Sequence, residues 1–144
     1  MSIGRLEHVA AASGLTLAVQ WDDGRTASID LSKVIAARKN LAPLADAATF
    51  AAVSLSGDGW SVEWPCGIDF GAQQLRRLAD ELAGETMSSA DFRRWMDGHA
   101  MTLERAAEAL GLSRRTIAYY LSGEQVIPKT VLLATEGFDH RRAA

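Results

Sequence analysis

Apolar positions between Met101 and Leu121 recur at the spacing of an α-helix, in two successive groups. The members of each group share one helix face: Leu103, Ala106, Ala107 and Leu110 in the first, and Ile117, Tyr120 and Leu121 in the second. Thr102 and Ser113 carry side-chain oxygens that can cap the two helices. Gly111 lies between the groups, where a residue without a Cβ atom can adopt the left-handed conformation that ends a helix. The pattern predicts a helix-turn-helix.

Alternating apolar and polar residues predict β-strands in the first half of the chain. Two strands, Leu15–Trp21 and Arg25–Leu31, flank Asp22-Asp23-Gly24, a hairpin signal because Asp-Gly tolerates the positive φ angles of a tight turn. Three further strands are expected: one near Arg5–Ala11 in the same sheet, and two over Val53–Leu55 and Trp60–Trp64. Three helical segments are also expected: a short helix to Ala37 capped by Asp30 or Ser32, a helical turn from Asp46 to Phe50, and a helix over Ala72–Ala83. This half is predicted to be α+β, a small antiparallel sheet with helices.

A change of pattern divides the chain near Gly84–Ser89, where a helix-ending glycine leads into a new helix cap. Two further helices are predicted beyond this junction, one beginning at Ser89 and one over Pro128–Thr135, followed by a polar tail over residues 140–144. The sequence therefore predicts two domains, an α+β domain over residues 1–86 and an all-α bundle over residues 87–144.

Composition limits the class of protein and its environment. The 144 residues are 48% hydrophobic, which is typical of a folded domain rather than of a disordered chain. No apolar run approaches the roughly 18 residues that a membrane helix needs, and the N-terminus lacks the long apolar core of a signal peptide. The single cysteine excludes an internal disulfide framework. These features predict a cytoplasmic protein with no membrane partner.

The net charge of −3 argues against a general nucleic-acid binder. The charge is unevenly distributed, however: residues 1–87 hold 7 Lys+Arg and 11 Asp+Glu, whereas residues 88–144 hold 8 and 7. The second half can therefore bind an anionic partner only through a local patch, not through a broad basic field.

The sequence offers few signals of an enzyme. His8, His99 and His140 are widely spaced and match no metal-binding motif, and the glycines near Asp58 are not followed by a phosphate-binding loop. Cys66 has no basic neighbour in sequence, which favours a structural cysteine over the alternative, a nucleophile. We therefore expect no catalysis, no metal and no cofactor.

Three tryptophans, Trp21, Trp60 and Trp64, fall in predicted strands. Tryptophans in strands most often build a core or cover a sheet face. A ligand pocket or a protein contact formed by these rings is the alternative interpretation.

The second helix of the predicted pair leaves two arginines, Arg114 and Arg115, on its outer side in the first turn. The start of a helix offers unpaired amides and the positive end of the helix dipole, both of which suit a phosphate. An arginine there can also fork onto O6 and N7 of guanine. A solvated helix face is the alternative for both side chains.

The residues from Ser113 to Gly137 follow the pattern SxRTIxxYxxGxxxIPxxVxLAxxG and resemble the lambda-repressor-like family. That resemblance implies a second helix lying in the major groove of double-stranded DNA. The candidate DNA-binding residues are Ser113, Arg114, Arg115, Thr116, Tyr119, Ser122, Lys129 and Thr130. Leu103 departs from the family, which often has a phosphate-contacting glutamine there, so Ser122, Lys129 and Thr130 are expected to supply the remaining phosphate contacts.

The first half resembles a second family, DUF2442, a small bacterial domain of unassigned biochemistry. The resemblance covers about residues 3–83 and includes Trp64-Pro65-Cys66-Gly67-Ile68-Asp69, where the family typically has W-P-N-G-x-D. Cys66 replaces the usual asparagine, so the role of that family position does not carry over to this chain.

Together these observations predict a sequence-specific DNA-binding protein, a transcriptional regulator without catalysis. The small number of cations predicts a homodimer that reads paired half-sites, and the N-terminal domain is expected to bind a partner or ligand or to dimerise. The alternative is a protein-interaction module that does not bind DNA, acting as an antitoxin-like or scaffold partner.

Overall fold

The computed structural model describes residues 4–143, and in these the chain forms two compact units. The first unit ends at Ala79 and the second begins at Asp80. Small antiparallel sheets and several helices make up the chain, so the predicted α+β class is confirmed. The predicted domain boundary between residues 86 and 87 falls inside a short strand, and the assignment of two domains stays a prediction.

The first sheet consists of β1 (Leu6–Ala12), β2 (Thr16–Trp21) and β3 (Thr26–Asp30), in that order. Alternate residues of β2 point into the core, because successive side chains of a strand face opposite sides of the sheet. The β2–β3 hairpin turns at the predicted Asp-Asp-Gly, where Gly24 has a φ of 89° and donates its amide to the carbonyl of Trp21 at 3.0 Å. The sequence prediction of this hairpin is confirmed.

A second sheet contains β4 (Ser54–Leu55), β5 (Ser61–Glu63) and β6 (Asp69–Gly71). The prediction of one antiparallel sheet was wrong, because alternation along a strand reveals which face is buried but not which strand is its partner. β6 was not predicted, since three residues are too short to carry a period of two.

Helices complete the first unit, and the last of them extends beyond the end of that unit at Ala79. They are α1 (Ser32–Ala37), a 3₁₀ helix over Lys39–Ala45, α2 (Ala47–Ala51) and α3 (Ala72–Leu82). The Asp46 carboxylate caps α2 by accepting the amide of Thr49 at 2.9 Å, as predicted. Neither Asp30 nor Ser32 is the cap residue of α1, which is Leu31. Asp30 nevertheless accepts the amide of Ser32 at 2.9 Å.

Two buried indole rings join the elements of the first core. The Nε1 of Trp21 donates to the carbonyl of Ala72 at 3.1 Å, and that of Trp64 donates to the carbonyl of Phe50 at 2.9 Å. These bonds satisfy the only polar atom of each ring, so both rings can be buried at little cost. Trp21 and Trp64 therefore serve as core residues, whereas Trp60 is 41% exposed.

Beyond the end of α3, the described residues of the second unit, up to Ala143, form four helices and one short ribbon. The helices are α4 (Ser89–Gly98), α5 (Leu103–Leu110), α6 (Arg114–Ser122) and α7 (Lys129–Ala143), and the ribbon pairs β7 (Thr86–Met87) with β8 (Ile127–Pro128). Its core is separate from that of the first unit and is centred on four fully buried side chains, those of Phe92, Ala106, Ile117 and Ile127.

The predicted start of α4 at Ser89 is confirmed, and Ser88 caps the helix with its hydroxyl, which accepts the amide of Asp91 at 3.0 Å. The end of the unit corrects the sequence prediction. The last helix continues far beyond Thr135, so the predicted polar tail is helical up to Ala143. Phe138 explains the extension, because its ring packs edge-on against the ring of Trp95 at a centroid distance of 5.5 Å. This contact holds the helix in place although Gly137 weakens it.

No helix in residues 4–143 combines the length and the apolar character needed to cross a bilayer.

Candidate functional site

The α5–α6 pair and the turn between them follow directly from local sequence. The Thr102 hydroxyl accepts the amide of Arg105 at 3.2 Å and caps α5. Gly111 ends that helix with a φ of 69°, a conformation that costs little without a Cβ atom. The Ser113 hydroxyl then accepts the amide of Thr116 at 3.1 Å and caps α6. All three of these predictions are confirmed.

Packing beneath the turn fixes the rotation of α6. Ile117 and Tyr120 are buried on its inner face, and Ala106 and Ala107 are buried on α5. The ring of Tyr120 meets the ring of Phe92 edge-on at 5.6 Å, and burial raises the pKa of the Tyr120 phenol. With these residues facing inward, the residues between them along α6 must face away from the core.

The outer side of α6 begins with two exposed arginines that have different partners. An Nη atom of Arg114 lies 3.4 Å from a carboxylate oxygen of Glu104 on α5. The Nε of Arg115 donates to the Tyr119 hydroxyl at 2.8 Å, one turn further along α6. The two guanidinium groups therefore differ: Arg114 has an anionic neighbour, whereas Arg115 is hydrogen-bonded to the hydroxyl of a tyrosine.

The remaining predicted residues have identifiable local roles. The hydroxyls of Ser113 and Thr116 bond to each other at 2.9 Å at the start of α6. Ser122 donates to the carbonyl of Tyr119 at 3.1 Å and accepts the amide of Glu124, so it closes the C-terminal end of the helix. An ion pair of 3.4 Å links Lys129 to Glu85, and Thr130 is exposed in the first turn of α7.

The structure thus brings together five of the eight predicted residues, namely Ser113, Arg114, Arg115, Thr116 and Tyr119, within the first two turns of α6. Sequence reasoning missed Glu104, which faces Arg114. An acidic residue in the first turn of α5 is expected from the helix dipole alone. Its proximity to Arg114 depends on how the two helices cross, which no pattern in the sequence reports.

A second polar contact in this unit lies among aromatic rings. One carboxylate oxygen of Asp139 accepts the Nε1 of Trp95 at 2.8 Å and lies 2.6 Å from the Nε2 of His99. The imidazole of His99 also packs edge-on against the ring of Phe138 at 5.0 Å. The contacts join the end of α4 to α7, so they give this histidine and carboxylate a structural role.

Other candidate chemistry is sparse in the residues that the structure describes. They contain no group of three or more His, Cys, Asp or Glu side chains arranged to hold a metal ion. Cys66 is exposed, in the turn between β5 and β6.

The fold and this surface define a small α+β protein with two compact units, the second of which presents two arginines at the start of a helix. The chain belongs to the DUF2442 family, described as a protein of unknown function, whose sequence model matches residues 6–81. The resemblance predicted from the Trp-Pro-Cys-Gly-Ile-Asp segment is thereby confirmed for the first part of the chain.

A solved structure is similar along nearly the whole chain. It is the crystal structure of a protein from Nitrosomonas europaea ATCC 19718 that is described as a "putative DNA binding protein". The two sequences are 34% identical, the match covers 94% of this chain and 86% of the other, and the TM-score is 0.53. No curated protein matches the chain.

Proposed function

We propose that this chain is a sequence-specific DNA-binding protein of the bacterial cytoplasm, a transcriptional regulator without catalytic activity. In this proposal α5 and α6 are the helix-turn-helix of a lambda-repressor-like domain, and α6 enters the major groove. The observation that carries the proposal is the pair of exposed arginines, Arg114 and Arg115, in the first turn of a helix that is capped and packed on its other side.

The chemistry of this helix start supports DNA as the ligand. The first turn of a helix has free amides and a partial positive charge, which attract a phosphate. A guanidinium group carries donors in a planar fork that fits either a phosphate or the major-groove edge of guanine. The description of the similar Nitrosomonas protein, which is 34% identical, agrees with this assignment.

The charge balance supports a dimer. Residues 88–144 carry 8 Lys+Arg against 7 Asp+Glu, so a single copy can neutralise few phosphates. Two copies that contact half-sites about 34 Å apart would double the number of contacts. We propose that the domain over residues 1–86 supplies the dimer contact or binds a partner or ligand.

Three residues are proposed as additional phosphate contacts: Ser122, Lys129 and Thr130. Lys129 would exchange its ion pair with Glu85 for a phosphate. Since both side chains are about half exposed, at 54% and 55%, that pair contributes little to stability and is readily exchanged.

Selection from a random duplex DNA library at about 50 mM salt tests the proposal, because phosphate contacts are strongest at low salt. The parent should enrich a defined sequence and shift it in a gel. Arg114→Ala and Arg115→Ala should each weaken binding of that sequence. Arg93→Ala is the matched control, because it removes one exposed arginine from α4 instead of α6 and should reduce affinity far less. Failure of the parent to bind any duplex at low salt would contradict the proposal.

The second candidate function is a protein-interaction module of the antitoxin-like or scaffold type. It is favoured by exposed apolar side chains in the second unit, among them Val126 at 46% and Leu133 at 52%, and by the leucine at position 103. Under this alternative Leu133→Ser would abolish complex formation with a protein partner, while the Arg114 and Arg115 variants would behave like the parent. The binding experiment above separates the two candidates.

A further inference from the structure

Arg115 and Tyr119 form a pair on the outer face of α6. Residues four apart share one side of a helix, and here the Nε of Arg115 donates to the Tyr119 hydroxyl at 2.8 Å. The guanidinium carbon also lies 5.3 Å from the centre of the Tyr119 ring. Arg115 is exposed, whereas Tyr119 is half-buried and therefore provides a more fixed support.

The bond to Nε determines which donors of Arg115 face outward. A guanidinium group has five N–H donors, and the one on Nε points sideways from the chain. When the tyrosine occupies it, the two terminal amino groups are left side by side. That end-on fork matches the spacing of O6 and N7 on the major-groove edge of guanine.

Arg114 provides a contrast within the same turn. Its terminal amino group lies 3.4 Å from a carboxylate oxygen of Glu104, so its charge is partly compensated and its fork is directed toward α5. Arg115 has no such anionic neighbour among residues 4–143, and it is oriented without loss of its charge. The two guanidinium groups thus differ both in their orientation and in how far their charge is compensated.

We propose that Tyr119 is a positioning residue that holds Arg115 to read a guanine base, whereas Arg114 binds phosphate. This inference rests on the proposed DNA-binding function and extends it to the base that is read. Ordering a free arginine side chain on binding costs conformational entropy, and a pre-formed hydrogen bond removes part of that cost. The Arg115–Tyr119 hydrogen bond therefore raises the preference for guanine at one base pair, although Tyr119 itself does not contact the DNA.

The test uses the sequence that the parent selects from the random library, together with duplexes in which each position is changed in turn. One position should require guanine, and Arg115→Ala should lower the preference for that guanine by at least about five-fold. Tyr119→Phe keeps the ring but removes the hydroxyl, and should lower the same preference by about three-fold or more. Arg114→Ala should weaken all duplexes alike and reduce the salt dependence of binding.

A double-mutant cycle separates positioning from direct contact. If the Tyr119 hydroxyl acts through Arg115, Tyr119→Phe does not lower the guanine preference further in the Arg115→Ala background. In the Arg114→Ala background it lowers that preference as much as it does in the parent. An additional loss of preference in the Arg115→Ala background would mean that Tyr119 contacts DNA itself and would overturn the inference. Unchanged melting temperatures of the variants establish that the fold is intact.

Failure of this inference is distinguishable from failure of the proposed function. A parent that selects no sequence refutes the proposed sequence-specific DNA binding. A parent that selects a sequence, but with no guanine preference that Arg115→Ala removes, refutes only the assignment of Arg115. If Arg115→Ala lowered the affinity for all duplexes equally, Arg115 would be a phosphate contact, and the assignment would likewise be overturned.

Discussion

At the scale of single residues, Ala100 is the one residue other than glycine in the range 4–143 whose φ is positive. Ala100 has a φ of 51°, in the left-handed region where a Cβ atom approaches the following carbonyl oxygen at a cost of about 1–2 kcal/mol. The conformation is held by hydrogen bonds that end α4, from the Ala100 amide to Asp97 at 3.0 Å and from the Met101 amide to Met96 at 2.9 Å. The need to end α4 tightly before α5 therefore outweighs the local strain.

We expect Ala100→Gly to raise the free energy of unfolding by about 0.5–1 kcal/mol, because glycine removes the strain but loses more entropy on folding. Urea denaturation measures the change. Ala109→Gly is the control, since Ala109 is exposed within α5 and the same substitution there should lower stability by about 0.5–1 kcal/mol. A loss of stability for both variants would contradict the assignment of strain to Ala100.

The carboxylate of Asp46, which caps α2, makes the stability of the fold depend on pH in the acidic range. The pKa of Asp46 lies below its usual value, chiefly because its carboxylate accepts the Thr49 amide and, in addition, the Thr49 hydroxyl. A lowered folded-state pKa contributes stability above the unfolded value of 3.8, and this contribution is lost as the pH falls through the folded-state pKa.

We expect the free energy of unfolding of Asp46→Asn to decrease less than that of the parent as the pH falls below about 4. The reason is that asparagine also caps a helix but does not titrate. Near neutral pH the two proteins should have similar stability. Thermal unfolding across this pH range is the measurement. Glu7→Gln, at an exposed position of β1, removes one carboxylate without altering a cap and should follow the parent. Identical acid profiles for Asp46→Asn and the parent would refute the capping argument.

At the scale of elements, the crossing of α5 and α6 brings Glu104 within 3.4 Å of Arg114. Both side chains are exposed, at 77% and 65%, so the pair contributes little to the stability of the fold. In the proposed complex, however, Glu104 competes with DNA phosphate for the same guanidinium group. A charge on α5 would therefore weaken the binding of phosphate by an arginine on α6.

We expect Glu104→Gln to tighten DNA binding about two-fold to five-fold at low salt, with a smaller gain at high salt, because the competing anion is removed. Fluorescence anisotropy with the selected duplex measures the effect. Glu108→Gln removes the same charge one turn further along α5, where the partner is Arg105 at 4.0 Å. Equal gains for both variants would indicate a general charge effect and no competition for Arg114.

At the scale of the whole molecule, each unit has its own buried core, and none of the residues 4–143 belongs to both cores. The chain between them leaves α3 after Leu82, which is 59% exposed, and enters β7 at Thr86. Pairing of β7 with β8 protects the backbone from Thr86 onward.

We therefore expect limited proteolysis to cut first between residues 82 and 85, before it cuts within either core, because Leu82, Ala83 and Glu85 are exposed and belong to no strand pair. Mass spectrometry of the earliest fragments identifies the site. Initial cleavage in the turn at Gly57–Gly59 or at Gly111, with residues 82–85 intact, would contradict the proposed division into two domains.

Features that depend on a few neighbouring residues were predictable from the sequence. The hydroxyls of Thr102 and Ser113 cap their helices, Gly24 and Gly111 make their turns, and Ile117 is buried. These predictions succeed because capping and turn geometry act over three or four residues, and because the periods of helix and strand reveal which face is apolar. The outward direction of the two arginines of α6 follows from the same periodicity.

Features that depend on distant residues were decided only by the tertiary structure. The sequence carries no local signal for the separation of the strands into two sheets, the β7–β8 ribbon or the extension of α7, since each needs a partner far along the chain. The same holds within the candidate site, where Glu104 and Arg114 are ten residues apart and meet only because α5 and α6 cross. By itself the sequence determined which side chains face outward; the packing of the helices decided that Arg114 meets a carboxylate there.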